Sequence, residues 1–363
     1  MVKFLECLSV EITGASHCEA LILQVDGLPA GLSIDMDALT AFLKRRSPGR
    51  ALTSARREPD DFVLLSGLQN GRLTGETLSV RFPNHDVRSK DYENPFVPRP
   101  GHADFAARAR FGFDLDLSGG GRFSARMTLP LCFLGGICLQ LLHQRGITVG
   151  AHLLRVGSAC DRPFDPVALT PEELADCAAR FPAVLNPQAG CAMADAVRQA
   201  GAEGDSLGGI LEGAVLGLKP GMLGGPLFDG LESLLSAALF ALPAVKGVSF
   251  GSGFAGACRT GSQNNDPFVL QNGAVTCEKN DAGGILGGIC TGLPLVFSVA
   301  VKPTPSIARP QQSVDLKTRQ PVVLEIRGRH DPCAALRAVP CVEAVTAICF
   351  IDLFLKEGFI HGA

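Results

Sequence analysis

Apolar side chains recur at helical spacing along 33–46, where Ile34, Met36, Leu39, Phe42 and Leu43 share one face and Lys44, Arg45 and Arg46 close the run. This pattern predicts an α-helix with basic residues at its C-terminal end, stopped by Pro48-Gly49. Short apolar runs at 62–65 and 78–82, bounded by Asp, Gly and Pro, read as strands. Beyond them the pattern predicts a helix from about 124, a strand over 147–156, helices over 171–180 and 188–202, and a strand over 209–218. A helix over 229–241, strands over 245–250 and 293–301, and a long helix over 340–356 complete the series, with Pro340 suited to a helix start.

Two uncharged stretches are long enough to test as membrane spans. The first, 282–301, contains Gly283, Gly284, Gly287, Gly288, Gly292 and Pro294, and reads as a glycine-rich turn entering a buried strand. The second, 127–144, is interrupted by Pro130, Gln140 and His143 and reads as a core helix. No membrane association is expected. The tripeptide Gly-Gly-Ile begins at Gly135, Gly208 and Gly283, which suggests an internal duplication with a period of roughly 75 residues. The segment 83–101, rich in charge and proline and carrying Arg88, Tyr92 and Arg99 just before His102, is too long for a simple connection and reads as functional.

Composition narrows the chemistry. With 46% hydrophobic and 19% charged residues over 363 positions, the chain has a globular balance and a core to bury. The formal charge of −3 and the single Tyr with no Trp give no basic, aromatic surface for stacking bases, so nucleic acid is not an expected partner. Arginine outnumbers lysine 24 to 9, and 13 of the arginines fall between Arg45 and Arg126. A planar guanidinium fork matches phosphate and carboxylate oxygens, so this concentration points to bound oxyanions, with surface ion pairing as the plainer alternative. Thirteen Cys without C-x-x-C pairs read as reduced thiols in a cytoplasmic protein, and no metal-ligand spacing appears among the His and Cys.

Several segments carry candidate chemistry. His17 in Gly14-Ala15-Ser16-His17 follows a small-residue turn, where an imidazole can donate a proton near neutral pH, and His102 in Arg99-Pro100-Gly101-His102 stands beside a rigid turn at an expected helix start, a place suited to anion contact. Gly119-Gly120-Gly121 exposes backbone N–H groups ahead of Arg122, Ser124 and Arg126, a pattern that looks built to cradle phosphate, with a glycine hinge as the plainer alternative. It is neither the G-x-x-x-x-G-K-[ST] nucleotide loop nor G-x-G-x-x-G. Gly283 to Gly288 leads to the stiff Lys302-Pro303-Thr304-Pro305-Ser306, and Gly328-Arg329-His330-Asp331 offers a further Arg and a carboxylate able to act as a base.

Taken in this order, the segments resemble the chorismate synthase family over nearly the whole chain. The resemblance is carried by G-A-S-H at Gly14, R-R-S-P-G at Arg45, R-R-E-P-D at Arg56, D-V-R-S-K-D-Y at Asp86 and R-P-G-H-A-D at Arg99. It continues through G-G-G-R-F-S-A-R at Gly119, G-D-S-L-G-G at Gly204, A-V-K-G-V at Ala244 and G-S-Q-N-N-D at Gly261. The last segments are A-G-G-I-L-G-G at Ala282, K-P-T-P-S-I at Lys302, G-R-H-D-P-C at Gly328 and R-A-V-P at Arg337. The resemblance implies an α+β fold, a layered β-α sandwich forming a single domain over 1–363, and a homotetramer. It implies anti 1,4-elimination of phosphate from 5-enolpyruvylshikimate 3-phosphate to give chorismate, with reduced FMN and no net redox change.

By the same resemblance, His17 protonates the departing phosphate, His102 as a cationic ring balances charge on the reduced flavin, and Asp331 relays a proton with flavin N5. Ser16, Arg46, Arg50, Arg99, Arg126 and Arg329 are the implied substrate contacts. Arg122, Phe123, Ser124, Ala244, Gly287, Lys302, Pro303, Thr304, Pro305, Ser306 and Arg329 are the implied flavin contacts. The chain departs from the family pattern with Ala15 for Glu, Cys18 for Gly, Ser47 for the third Arg, Phe123 for Ser and Met127 for Glu. These departures leave a second reading open, a catalytically weakened homologue that binds flavin or anions. A third is a chain that reduces its own FMN with NADPH instead of depending on an external flavin reductase.

Overall fold

The computed structural model describes residues 5–53, 59–85, 95–326 and 330–361. The first antiparallel sheet is built from β1 (Ser9–Thr13), β2 (Ala20–Asp26), β3 (Val63–Ser66) and β4 (Leu78–Pro83), in the order β1-β2-β4-β3. Alternation makes one face of it apolar: Leu21, Leu23 and Val25 from β2 and Leu78, Val80 and Phe82 from β4 are all fully buried. Between β2 and β3 lies α1 (Met36–Arg46), capped by Asp35, which accepts the N–H groups of Asp37 and Ala38.

After β4 come α2 (Asp104–Phe111) and α3 (Thr128–His143), then β5 (Thr148–Val156) and β6 (Ala159–Cys160). Helices α4 (Pro171–Ala179) and α5 (Pro187–Ala202) precede β7 (Gly209–Leu216), α6 (Leu231–Phe240) and β8 (Val245–Phe250). Two hairpins follow, β9 (Phe268–Gln271) with β10 (Ala274–Cys277) and β11 (Ile285–Leu286) with β12 (Ile289–Cys290). The chain then enters β13 (Leu295–Val301), passes through a third hairpin of β14 (Gln311–Val314) and β15 (Pro321–Leu324), and ends in α7 (Ala335–Lys356). The second sheet is antiparallel with the order β8-β13-β7-β5-β6.

Helices α3 and α7 form the middle layer. Phe133 of α3 meets Phe82 of the first sheet edge-on at 5.5 Å, while α7 packs on β5 and β7 of the second. This gives the expected α+β sandwich, with α4 and α5 covering the outer side of the second sheet. Every residue of α7 from Val339 to Phe354 is buried, as expected for a helix apolar all round. Its two acids are tied down: Glu343 takes both Nη atoms of Arg45 at 2.6 and 2.8 Å, and Asp352 accepts the N–H groups of Glu6, Cys7 and Leu8. By length and composition Ala125–His143 and Ala335–Lys356 could cross a membrane, but 72% and 89% of their most apolar windows are buried inside the fold.

Most predicted elements fall within a few residues of the observed ones, with three corrections. Helix α7 begins at Ala335, so Pro340 lies inside it and removes one N–H from a helix whose burial on all sides sustains it. The strands β1, β2 and β6, the three hairpins above and a further short hairpin of Leu68–Gln69 with Arg72–Leu73 lie outside the predicted series. The Gly-Gly-Ile tripeptides occupy unlike places: Gly135 is mid-α3, Gly209 opens β7, and Gly284 precedes the short β11. They mark no repeated unit.

Candidate active site

A cavity of about 590 Å³ opens where the turn after β1, the end of α1, the segments before α2 and before α3, the turn between α6 and β8, the strap after β13 and the start of α7 converge. Its wall contains His17, His102 and Asp331 together with Arg46, Arg99, Arg122, Arg126, Lys302 and Arg337. The cations outnumber the acids in the wall, Asp104 and Asp331, so the cavity suits an anion.

His17 is seated by the glycine run. Ser16 is fully buried, donates its hydroxyl to the Ser118 carbonyl at 2.8 Å, and has its oxygen 3.2 Å from His17 Nδ1. Gly119 has φ +60°, and a Cβ there would stand 2.1 Å from His17 Cε1. Only glycine allows both the backbone turn and the close approach of the imidazole. The run closes on itself through Ser118 N–H to Asp116 and Gly120 N–H to Leu117, and turns Arg122, Phe123 and Ser124 toward the cavity.

The arginines are held from behind by aspartates. Arg99 binds Asp104 through Nε at 2.7 Å and Nη2 at 2.8 Å. Arg126, buried, donates to Asn84 Oδ1 at 2.9 Å and to the Pro83 carbonyl at 3.1 Å, and pairs with Asp60, which also lies 3.5 Å from Arg46 Nη2. Ser47, where the family pattern has a third Arg, donates its hydroxyl to Asp60 at 2.8 Å. Burial works to raise the Asp60 pKa, but the charges of Arg46 and Arg126 prevail and hold it below the usual carboxylate range. Arg337 donates to Asp331 at 2.7 Å and to the Arg46 carbonyl at 2.8 Å, joining the two sides of the cavity.

His102 Nε2 lies 2.7 Å from Ser306 Oγ. Burial, with the Arg99 charge next, pushes His102 down to about 4, so the chain by itself holds this ring neutral at physiological pH. The expected cationic form therefore requires an added negative charge in the cavity. Lys302 donates to the Gly101 carbonyl, and Lys302, Thr304, Pro305 and Ser306 line the wall opposite the glycine run with Ala244, a non-glycine residue at φ +72°.

The structure thus brings together His17, His102, Asp331, Arg46, Arg99, Arg126, Arg122, Phe123, Ser124, Ala244, Lys302, Thr304, Pro305 and Ser306. It places four other candidates elsewhere. Ser16 stands behind His17; Arg50 lies over the Phe181 ring at 5.2 Å; Pro303 packs against Gly208. Gly287 is in the tight turn of the β11–β12 hairpin, where its left-handed φ of +61° serves the turn, outside this cavity of the single chain. Arg329, Arg88 and Tyr92 lie outside the described residues. Asp60, Asn84, His330 and Arg337 belong to the site's surroundings without having been singled out as site residues. For Asp60, His330 and Arg337 the available signal was membership of the R-R-E-P-D, G-R-H-D and R-A-V-P motifs. Among the described residues no group of three or more His, Cys, Asp or Glu side chains is arranged to hold a metal ion.

The comparisons with known proteins agree over almost the entire chain. The family model described as chorismate synthase matches residues 8–355. A chorismate synthase of Lancefieldella parvula is 43% identical over 355 residues, covering 94% of this chain and 93% of the relative. One from Methanosarcina mazei is 44% identical over 351 residues, covering 96% and 94%. A crystal structure of a chorismate synthase superposes with a TM-score of 0.74 at 24% identity, covering 97% of this chain and 93% of that one, which bears on the fold. The chain belongs to the chorismate synthase family and is a phosphate-eliminating lyase of the shikimate pathway.

Proposed function

We propose that the arginine-lined cavity eliminates phosphate from 5-enolpyruvylshikimate 3-phosphate to give chorismate, with reduced FMN bound beside the substrate. The observation that carries this reading is the convergence of His17, His102 and Asp331 on one cationic cavity from positions far apart in the chain. Two buried polar atoms of its wall residues, Arg46 Nε and Thr304 Oγ1, have no hydrogen-bond partner among the described residues, which fits a cavity that takes a polyanion and a polar cofactor. Arg122, Phe123, Ser124, Ala244, Lys302, Thr304, Pro305 and Ser306 would hold FMN. When bound, reduced FMN supplies an electron transiently and recovers it, so the overall reaction carries no net redox change.

Arg46, Arg99 and Arg126 bind the substrate's phosphate and carboxylates, pre-oriented by Asp60 and Asp104 so that little ordering remains at binding. His17, fixed between Ser16 and Gly119, delivers a proton to the phosphate oxygen as the carbon–oxygen bond breaks. Asp331, held by Arg337, presents a carboxylate able to take up and return a proton at the opposite wall. In His17→Ala, phosphate release should fall by roughly two to four orders of magnitude while FMN affinity is kept. Near-normal release would remove His17 from this role.

The assembly we propose is a homotetramer, supported by large apolar side chains that a single chain leaves in water: Phe228 is 88% exposed, Phe254 86% and Leu270 78%. Thirteen free cysteines, eight of them buried, support a reducing cytoplasmic location, which fractionation of the native cell would check.

A further inference from the structure

The contact between α3 and α7 beneath the cavity holds two thiols that the elimination does not use. Cys132 of α3 and Cys341 of α7 are both buried, with their sulfurs 3.7 Å apart and the Cys132 thiol donating to Cys341. The helices come this close because Gly135 faces Ala344 one turn further on, where a Cβ on Gly135 would stand 2.3 Å from the Ala344 Cβ. Cys341 also lies 3.6 Å from the carbonyl of Arg337, which lines the cavity one turn earlier in α7. Buried thiols usually pack as small, inert hydrophobes. Cys349 in the same helix behaves so, pushed up to about 12 by burial. Cys341 moves the other way: the hydrogen bond from Cys132, with the charges of Arg46 and Arg337, lowers its pKa despite burial.

We infer that Cys132 and Cys341 form an oxidation site, closed to a disulfide by a small hydroperoxide. The Cys341 thiolate attacks one peroxide oxygen, the O–O bond breaks, and the other oxygen leaves with a proton as water or an alcohol. Sulfur thereby becomes a sulfenic acid. Cys132 then attacks that sulfur, its proton leaves with the hydroxyl as water, and the S–S bond forms. Two thiols lose two electrons and the peroxide gains them. Closure from 3.7 Å to about 2.0 Å draws the first turns of α7 toward α3 and disturbs the Arg337 contacts with Asp331 and the Arg46 carbonyl. A dithiol reverses the change.

The test uses the full chain with FMN, exposed to graded hydrogen peroxide, freed of peroxide, then alkylated and mapped by mass spectrometry. A Cys132–Cys341 cross-link should form before oxidation of Cys138 or Cys349 and disappear with dithiothreitol. The elimination rate, assayed anaerobically with photoreduced flavin, should fall several-fold in step with the cross-link. Cys132→Ala and Cys341→Ala should each keep their untreated rate and lose the reversible, peroxide-dependent drop. Three results would each overturn the inference: both thiols still alkylatable after the exposed cysteines are oxidised, a cross-link without loss of rate, or equal reversible losses in wild type and Cys132→Ala. The mapping on the unmodified chain reads the site even where a variant folds poorly.

Discussion

At the scale of single residues, the site rests on charges set by their neighbours. His102 is held at about 4 against 6.5 for an ordinary histidine, so the unfolded chain takes up this proton more readily than the folded one. Its contribution to stability is complete above pH 6.5 and is lost as pH falls from 6.5 toward 4. Asp60 and Asp104, both lowered, lose theirs only below the ordinary carboxylate range, so the two effects occupy separate windows. His102→Gln should flatten the decline between pH 6.5 and 4 in urea unfolding of the flavin-free chain; an unchanged slope would show that the ring is not buried as a neutral group. His17 and His102 were legible because each sits inside a short motif with its own turn. Asp60 was not, because its partners Arg46 and Arg126 lie 14 and 66 residues away and nothing local announces that they meet.

Among the elements, the glycine run before α3 does more than expose N–H groups to a ligand. Its first member must be glycine twice over, for a φ of +60° and for the 2.1 Å that a Cβ would leave to His17. Gly119→Ala should displace the imidazole and lower elimination roughly 100-fold, the order expected for a misplaced catalytic group. Gly120→Ala is the control, since φ there is +92° but a Cβ meets only Ser124 at 3.5 Å. Equal rates in the two variants would show that left-handed strain alone, and not His17, is at stake. The helical stripe of α1 and the core strands could be read because their apolar faces are buried in this chain. The hairpin β9–β10 could not, because Phe268, Leu270 and Val275 stand in water and give no pattern of burial. The cysteine pair was equally silent in sequence, since 209 residues separate its members.

For the whole molecule, two sheets and a helical layer fix the cavity where seven separated segments meet, which is why the fold class was legible from the ordered motifs and the wall itself only from the structure. The identity of 43% and 44% to chorismate synthases gives no support to a weakened homologue, and the Ser47 to Asp60 hydrogen bond shows how one departure is absorbed. Sedimentation equilibrium should give four times the 38.0 kDa chain mass, with Phe228→Ser shifting it toward smaller species; a monomer in the unmodified protein would contradict the proposed assembly. The most direct measurement is anaerobic release of phosphate and chorismate from 5-enolpyruvylshikimate 3-phosphate, run with chemically reduced FMN and in parallel with oxidised FMN. The account predicts stoichiometric release of both products only with the reduced flavin. Equal release with oxidised flavin, or none with either while FMN stays bound, would contradict it.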